Sequence, residues 1–203
     1  MSPKIRLGWS PWVNLQQFDI TYGVPPKNAS SSFFEALRRH YDLKRTKGVQ
    51  FVDNPHVCKS PIPLYEAFFV VRHPLDRFES LWRSKCRDGH GTIGGHPVRG
   101  LTPEELFAYI QEHPEDDPHW RRQTSLLGNV EGPQPILLPV DHFAEHFLSK
   151  TGIEMWQQNP THGECPMTLE LMTDVMEHYE ADLFLYERSI KRWEAEHEKS
   201  HSV

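Results

Sequence analysis

Three cysteines in 203 residues, Cys58, Cys86 and Cys165, are an odd number without a Cys-x-x-Cys pair. That excludes a disulfide framework and a cysteine zinc site, and it favours a reducing compartment. No stretch approaches the ~20 apolar residues of a membrane span, and Met1-Ser2-Pro3-Lys4-Ile5-Arg6 lacks the apolar run of a secretion signal. A soluble, cytoplasmic protein without a membrane partner is therefore expected. Basic excess is missing too: a net charge of −6 argues against a nucleic-acid partner but is compatible with a local basic pocket for one small anion. With 37% apolar and 25% charged residues, and neither repeat nor linker, the expectation is one domain over residues 1–203, with a core that needs no disulfides. Seventeen prolines point to many fixed loops.

What is present is an alternation of strand and helix signals. The segment 19–25 reads as a strand running into Pro26-Lys27-Asn28-Ala29-Ser30-Ser31-Ser32, and a helix is expected from about Ser32 to Tyr41, with Phe34, Leu37 and Tyr41 on one side. Val49–Val52 reads as a short strand followed by the irregular Asp53-Asn54-Pro55-His56. Ala67–Val71 is a continuous apolar run, as in a strand covered on both faces, and Pro74 suits the first position of a helix striped by Leu75, Phe78 and Trp82. The glycine-rich segment 88–100 reads as a mobile loop, a possible lid. Thr102-Pro103-Glu104-Glu105 is a capping box that starts another helix, Pro135–Val140 a further strand, and a helix after it should stop near Gly152. From Thr168 onward helical spacing continues to about Glu198, with a frayed tail at 199–203. This alternation predicts an α/β fold: a P-loop-like, three-layer arrangement with a mainly parallel sheet flanked by helices, and ligands beyond the carboxyl ends of the strands.

Two strand-to-helix junctions fall at such ends. A loop entering a helix presents unpaired amides and the positive end of the helix dipole, which suits phosphate or sulfate. In the first junction Lys27 adds a charge and Ser30, Ser31 and Ser32 add hydroxyls, although serines that merely cap a helix would look the same. The G-x-x-x-x-G-K-[S/T] pattern of an ATP or GTP phosphate loop is absent. In the second, Arg72 at a strand end can make bidentate bonds to a phosphate, Ser80 lies about two turns into the following helix, and Arg77 is free to pair with a carboxylate.

These residues resemble the sulfotransferases, in particular the carbohydrate branch, akin to sulfotransferase family 2. Residues Pro26–Ser32 resemble the loop P-K-x-G-x-[T/S]-S that binds the 5′-phosphosulfate of PAPS (3′-phosphoadenosine 5′-phosphosulfate), with Ala29 where glycine is common and Ser31 where threonine is common. Residues Arg72–Ser80 resemble the 3′-phosphate motif R-[D/N/H]-P-x-x-R-x-x-S, and His119-Trp120-Arg121-Arg122-Gln123 is similar to an H-W-x-x-Q segment of the family. The likeness runs from about Ile20 to Tyr186, including Tyr179 and Asp182. The R-K-G-x-x-G segment of the small-molecule branch is missing.

The resemblance implies a sulfotransferase that moves the sulfuryl group of PAPS to an acceptor hydroxyl, most simply on a carbohydrate, and releases PAP, with no metal. Under it Lys27 binds the phosphosulfate and stabilises the leaving oxygen, Pro26 to Ser32 form the 5′ loop, and Arg72 and Ser80 bind the 3′-phosphate. A base must still take the acceptor proton; His56 is the first choice and Asp53 the second, with His119 and Glu35 as competitors. His73 would shape the turn. Alternatives are a nucleotide-binding protein without transferase activity, a P-loop kinase, and, more remotely, a zinc hydrolase using the H-x-x-E-H segment His142, Glu145 and His146.

Overall fold

The computed structural model describes residues 10–43, 56–59, 63–87, 92–93, 96–128, 133–156 and 165–200. The expected strand at 49–52, Asp53 and the tail 201–203 lie outside the described residues. In chain order the elements are β1 (Trp12–Leu15), β2 (Ile20–Gly23), α1 (Ser30–His40), β3 (Val57–Lys59), β4 (Glu66–Val71) and α2 (Pro74–Trp82). Then come β5 (Thr92–Ile93), β6 (His96–Pro97), α3 (Pro103–Glu112), α4 (Gln123–Leu127), β7 (Ile136–Pro139), α5 (Val140–Thr151), α6 (Leu169–His178) and α7 (Glu180–Ser200). Within the glycine-rich segment β5 and β6 pair antiparallel.

The main sheet has the order β3-β1-β2-β4-β7. β2, β4 and β7 run parallel, as expected, but β1 pairs antiparallel with both β2 and β3. The sheet is therefore mixed rather than mainly parallel. The cause is local: β1 and β2 are joined by a single 3-10 turn, Gln16–Phe18, far too short for the crossover a parallel neighbour needs. Each later parallel step has room for helices, α1 between β2 and β4, and α2 to α4 between β4 and β7.

Helices cover both faces of the sheet. Ile20, Tyr22, Val24, Phe68, Val70 and Leu138 point to the face packed by Phe33, Ala36 and Leu37 of α1 and Phe143 and Phe147 of α5. Trp12, Phe69 and Val71 point the other way, onto Leu126 of α4 and Leu185 of α7. A further cluster joins α2, α3 and α6 through Phe78, Leu81, Leu106, Ile110 and Val175. The capping box at Thr102 and Glu105 forms with both bonds present, and α5 stops at Gly152 in the left-handed conformation. The helical stretch after Thr168 is two helices, broken at Tyr179, whose buried ring joins the third cluster.

Gly23, the last residue of β2, lies under an aromatic pair. A Cβ there would stand 2.6 Å from both the Phe69 ring and the Trp12 ring. Gly23→Ala is expected to lower the unfolding free energy by about 1–3 kcal/mol in urea titration, because two packed rings must shift.

Candidate functional site

The register fixes where the two junctions lie. Gly23 pairs with Phe69 and Val71 with Pro139, so the loop after β2 and the residue after β4 leave the same, carboxyl end of adjacent parallel strands. Residues 26–29 turn sharply: Lys27 has φ 72° and Ala29 has φ 60°. Left-handed backbone costs a non-glycine residue roughly 1–2 kcal/mol, so the loop stores strain where it must aim its lysine. Ala29, at the position where the resembled motif has glycine, adopts the conformation glycine would take freely. It is the N-cap of α1 and offers no side-chain bond, while Ser30, Ser31 and Ser32 lie within the helix. Serines that simply cap the helix are thereby excluded; the first turn of α1 has no side-chain cap, with Ser31 exposed and Ser32 buried.

Lys27 donates from Nζ to Ser84 Oγ at 2.6 Å, in the π-helical turn Arg83–Arg87 that continues α2. Burial, followed by the nearby charges of Lys85, Arg72 and Arg77, lowers the Lys27 ammonium to about 7. Arg72 Nη1 donates to the Lys27 carbonyl at 2.8 Å, tying the second junction to the first. Burial also lowers the Arg72 guanidinium from its ordinary value, partly offset by Asp76, Asp141 and Glu79. Cations crowded together with little water disfavour one another's charge, and an anion that entered would relieve that cost. The Ser80 side chain is half-buried on α2.

Arg77 does not pair with a carboxylate. Its guanidinium is buried and donates to three carbonyls, Pro26 at 3.4 Å, Arg121 at 2.9 Å and Pro118 at 3.0 Å. It thus binds the 5′ loop to the segment carrying His119. The Asn28 amide nitrogen is likewise engaged within the protein: Nδ2 donates to the Val70 carbonyl at 2.8 Å and to Gln123 Oε1 at 2.6 Å, so it shapes the loop from behind. Gln123 also bonds the Arg72 main chain, accepting from its N–H at 3.0 Å and donating to its carbonyl at 2.8 Å. In the sequence Gln123 is visible only as the last residue of the H-W-x-x-Q segment; its burial among polar neighbours arises only on folding. Trp120 is 1% exposed and donates its indole N–H to the His113 carbonyl, so its face is no platform for a ligand.

His56, Glu35 and His119 lie in different surroundings. His56 precedes β3, whose Val57 pairs with Leu15, which in turn pairs with Ile20 at the amino end of β2. It also stacks on Tyr41, with ring centroids 5.8 Å apart, at the far end of the 11-residue helix whose start carries the loop. His56 is therefore at the opposite end of the sheet from Lys27. Glu35 is held by Arg38 and Arg39, whose hydrogen bonds pull its carboxyl down to about 2, too acidic for a base at neutral pH. Of His56, Glu35 and His119, His119 has the surroundings that suit proton transfer. Its Nδ1 lies 2.6 Å from Asp117 Oδ1, and its backbone N–H donates to the same oxygen at 2.8 Å. Burial pushes Asp117 up, but the bonds from His119 and the charge of Lys85 more than offset this and keep its carboxyl below the usual range. Lys85 thus acts on both Asp117 and Lys27. His73 stands just before α2, edge-on to Tyr186 with centroids 5.4 Å apart.

The H-x-x-E-H segment forms part of α5. His142 stacks flat on Trp193 of α7 at 4.5 Å, and His146 packs against Phe68 at 4.4 Å. Among the described residues no group of three His, Cys, Asp or Glu is arranged to hold a metal ion. Nor is any helix of the described residues long and apolar enough to cross a membrane.

In comparison with known families, residues 15–137 match the model of one described as the Sulfotransferase family. The match takes in both junctions and the His119–Gln123 segment and ends before Tyr179, Asp182 and Tyr186. No curated protein and no solved structure matches the chain.

Proposed function

Because the chain belongs to the sulfotransferase family, we propose that it transfers the sulfuryl group of PAPS to an acceptor hydroxyl, with a carbohydrate as the acceptor class. The observation that carries this reading is the cross-link between the junctions: Arg72 holds the Lys27 carbonyl, so two anion sites sit on adjacent strands as one unit. A nucleotide with phosphates at both ends is the ligand such a pair fits. The carbohydrate acceptor rests on the likeness of both motifs to that branch.

In this mechanism the opening amides of α1 and the exposed hydroxyl of Ser31 hold the 5′ end of the donor. Arg72 and Ser80 hold the 3′-phosphate. The acceptor oxygen bonds to sulfur as the bridging bond between sulfur and the 5′-phosphate oxygen breaks. Lys27 supplies positive charge to the oxygen that departs with the bond electrons, and PAP leaves. His119 Nε2 takes the acceptor proton; Asp117 fixes the Nδ1–H tautomer and stabilises the imidazolium that forms. Positioning and charge stabilisation suffice for such a transfer, as they do for phosphoryl groups.

Incubation with PAPS labelled in its sulfuryl group, across hydroxyl-bearing glycans, tyrosine peptides and small metabolites, tests the reading. Label on a glycan with one PAP released per sulfate is expected; ATP-dependent phosphorylation instead would mark a kinase. Arg72→Ala is expected to weaken PAP binding by about 10- to 100-fold, the value of charge-assisted hydrogen bonds. Unchanged affinity in a calorimetric titration would remove Arg72 from the nucleotide site.

A further inference from the structure

Resting on the donor reading above, we infer that Gln123 is a positioning residue that sets the separation of the 5′ and 3′ anion sites and so selects a nucleotide phosphorylated at both ends. The pairing of β2 with β4 ends at Gly23 and Phe69, so the ladder itself does not align Lys27 with Arg72. Beyond that point the alignment is carried by side chains. The Gln123 amide, 0% exposed, grips both junctions at once: Oε1 accepts from Asn28 Nδ2 at 2.6 Å and from the Arg72 N–H at 3.0 Å, and Nε2 donates to the Arg72 carbonyl at 2.8 Å. Asn28 extends the grip to the Val70 carbonyl at 2.8 Å.

Gln123 is itself fixed. It opens α4, and its N–H donates to Asp182 Oδ2 at 2.7 Å, while the Thr124 N–H donates to Asp182 Oδ1 at 2.9 Å. Asp182, on α7, is 1% exposed, so a buried carboxylate anchors the helix start that presents the amide. The chemistry requires an amide. A carboxylate at the same place cannot donate to the Arg72 carbonyl, and asparagine is one methylene too short to span the two chains. Being neutral and buried, Gln123 adds no attraction for either phosphate alone. Its effect falls on the advantage a ligand gains when its second phosphate binds after the first, which depends on how well the two sites are held apart.

The test is calorimetric titration of the full chain with 5′-AMP, 3′-AMP and adenosine 3′,5′-bisphosphate. In the unsubstituted protein the bisphosphate should bind about 100-fold more tightly than either monophosphate. In Gln123→Met and Gln123→Leu this advantage should shrink by about tenfold while each monophosphate binds within about twofold of its original affinity. An equal loss for all three ligands, or an advantage that survives in both variants, would overturn the assignment. If these variants melt below the assay temperature, Asp182→Asn, which keeps the amide but weakens its anchor, must show the same selective loss. An unsubstituted protein without preference for the bisphosphate would instead refute the donor reading itself.

Discussion

Lys27→Ala is expected to lower turnover by about 100- to 1,000-fold, the range seen when one preorganised donor to a developing negative charge is removed. PAP affinity should fall less, because Arg72 and the helix amides remain. Lys27→Arg should not restore turnover, since the Lys27 ammonium reaches Ser84 Oγ at 2.6 Å in a crowded pocket and a planar guanidinium presents its donors differently. The lysine also predicts a proton linkage. With its ammonium lowered to about 7, Lys27 is mostly neutral in the free protein at pH 8, whereas a bound phosphosulfate favours the charged form. Binding must then take up a proton, and affinity should weaken as pH rises above 7. Titrations at pH 8 in buffers of different ionisation enthalpy measure this uptake, and a zero value would contradict the charge role of Lys27. In the free protein the sign is opposite for folding: a lowered lysine makes this contribution to stability rise as pH climbs from about 7 towards the ordinary lysine range.

The second large effect concerns the base. His119→Ala should reduce turnover by about 100- to 10,000-fold while leaving PAP affinity unchanged. Asp117→Asn should also cut turnover and leave PAP affinity intact, because an amide at 2.6 Å from Nδ1 can stabilise the wrong tautomer. His56→Ala is the contrasting variant and should keep full activity. The reverse pattern, with His56→Ala inactive and His119→Ala active, would move proton transfer to the other end of the sheet.

His56 shows why part of the site was not legible in the sequence. Its nearness to a strand was visible, but the end of the sheet it occupies depends on β1 pairing with β3, a contact between Leu15 and Val57 that no local pattern announces. β1 itself carries no alternation to read. Trp12, Val13, Asn14 and Leu15 are all buried, and Asn14 is tolerated there because Thr21 donates to it at 2.6 Å. The junctions were legible for the opposite reason. Their signals are local: an apolar run, a proline at the start of α2, a lysine and serines at the start of α1. Arg77 and Gln123 lie between these cases. Their positions in the motifs were plain, but their partners are main-chain carbonyls and amides brought together only by folding, so a carboxylate partner for Arg77 was the wrong expectation.

If the two junctions form one donor site, titration of PAP into the unsubstituted protein must show it. One PAP bound per chain, undiminished by excess ATP and lost in a Lys27→Ala, Arg72→Ala double variant that remains folded, is the predicted result. Failure to bind PAP, or displacement of PAP by ATP at comparable concentration, would contradict it.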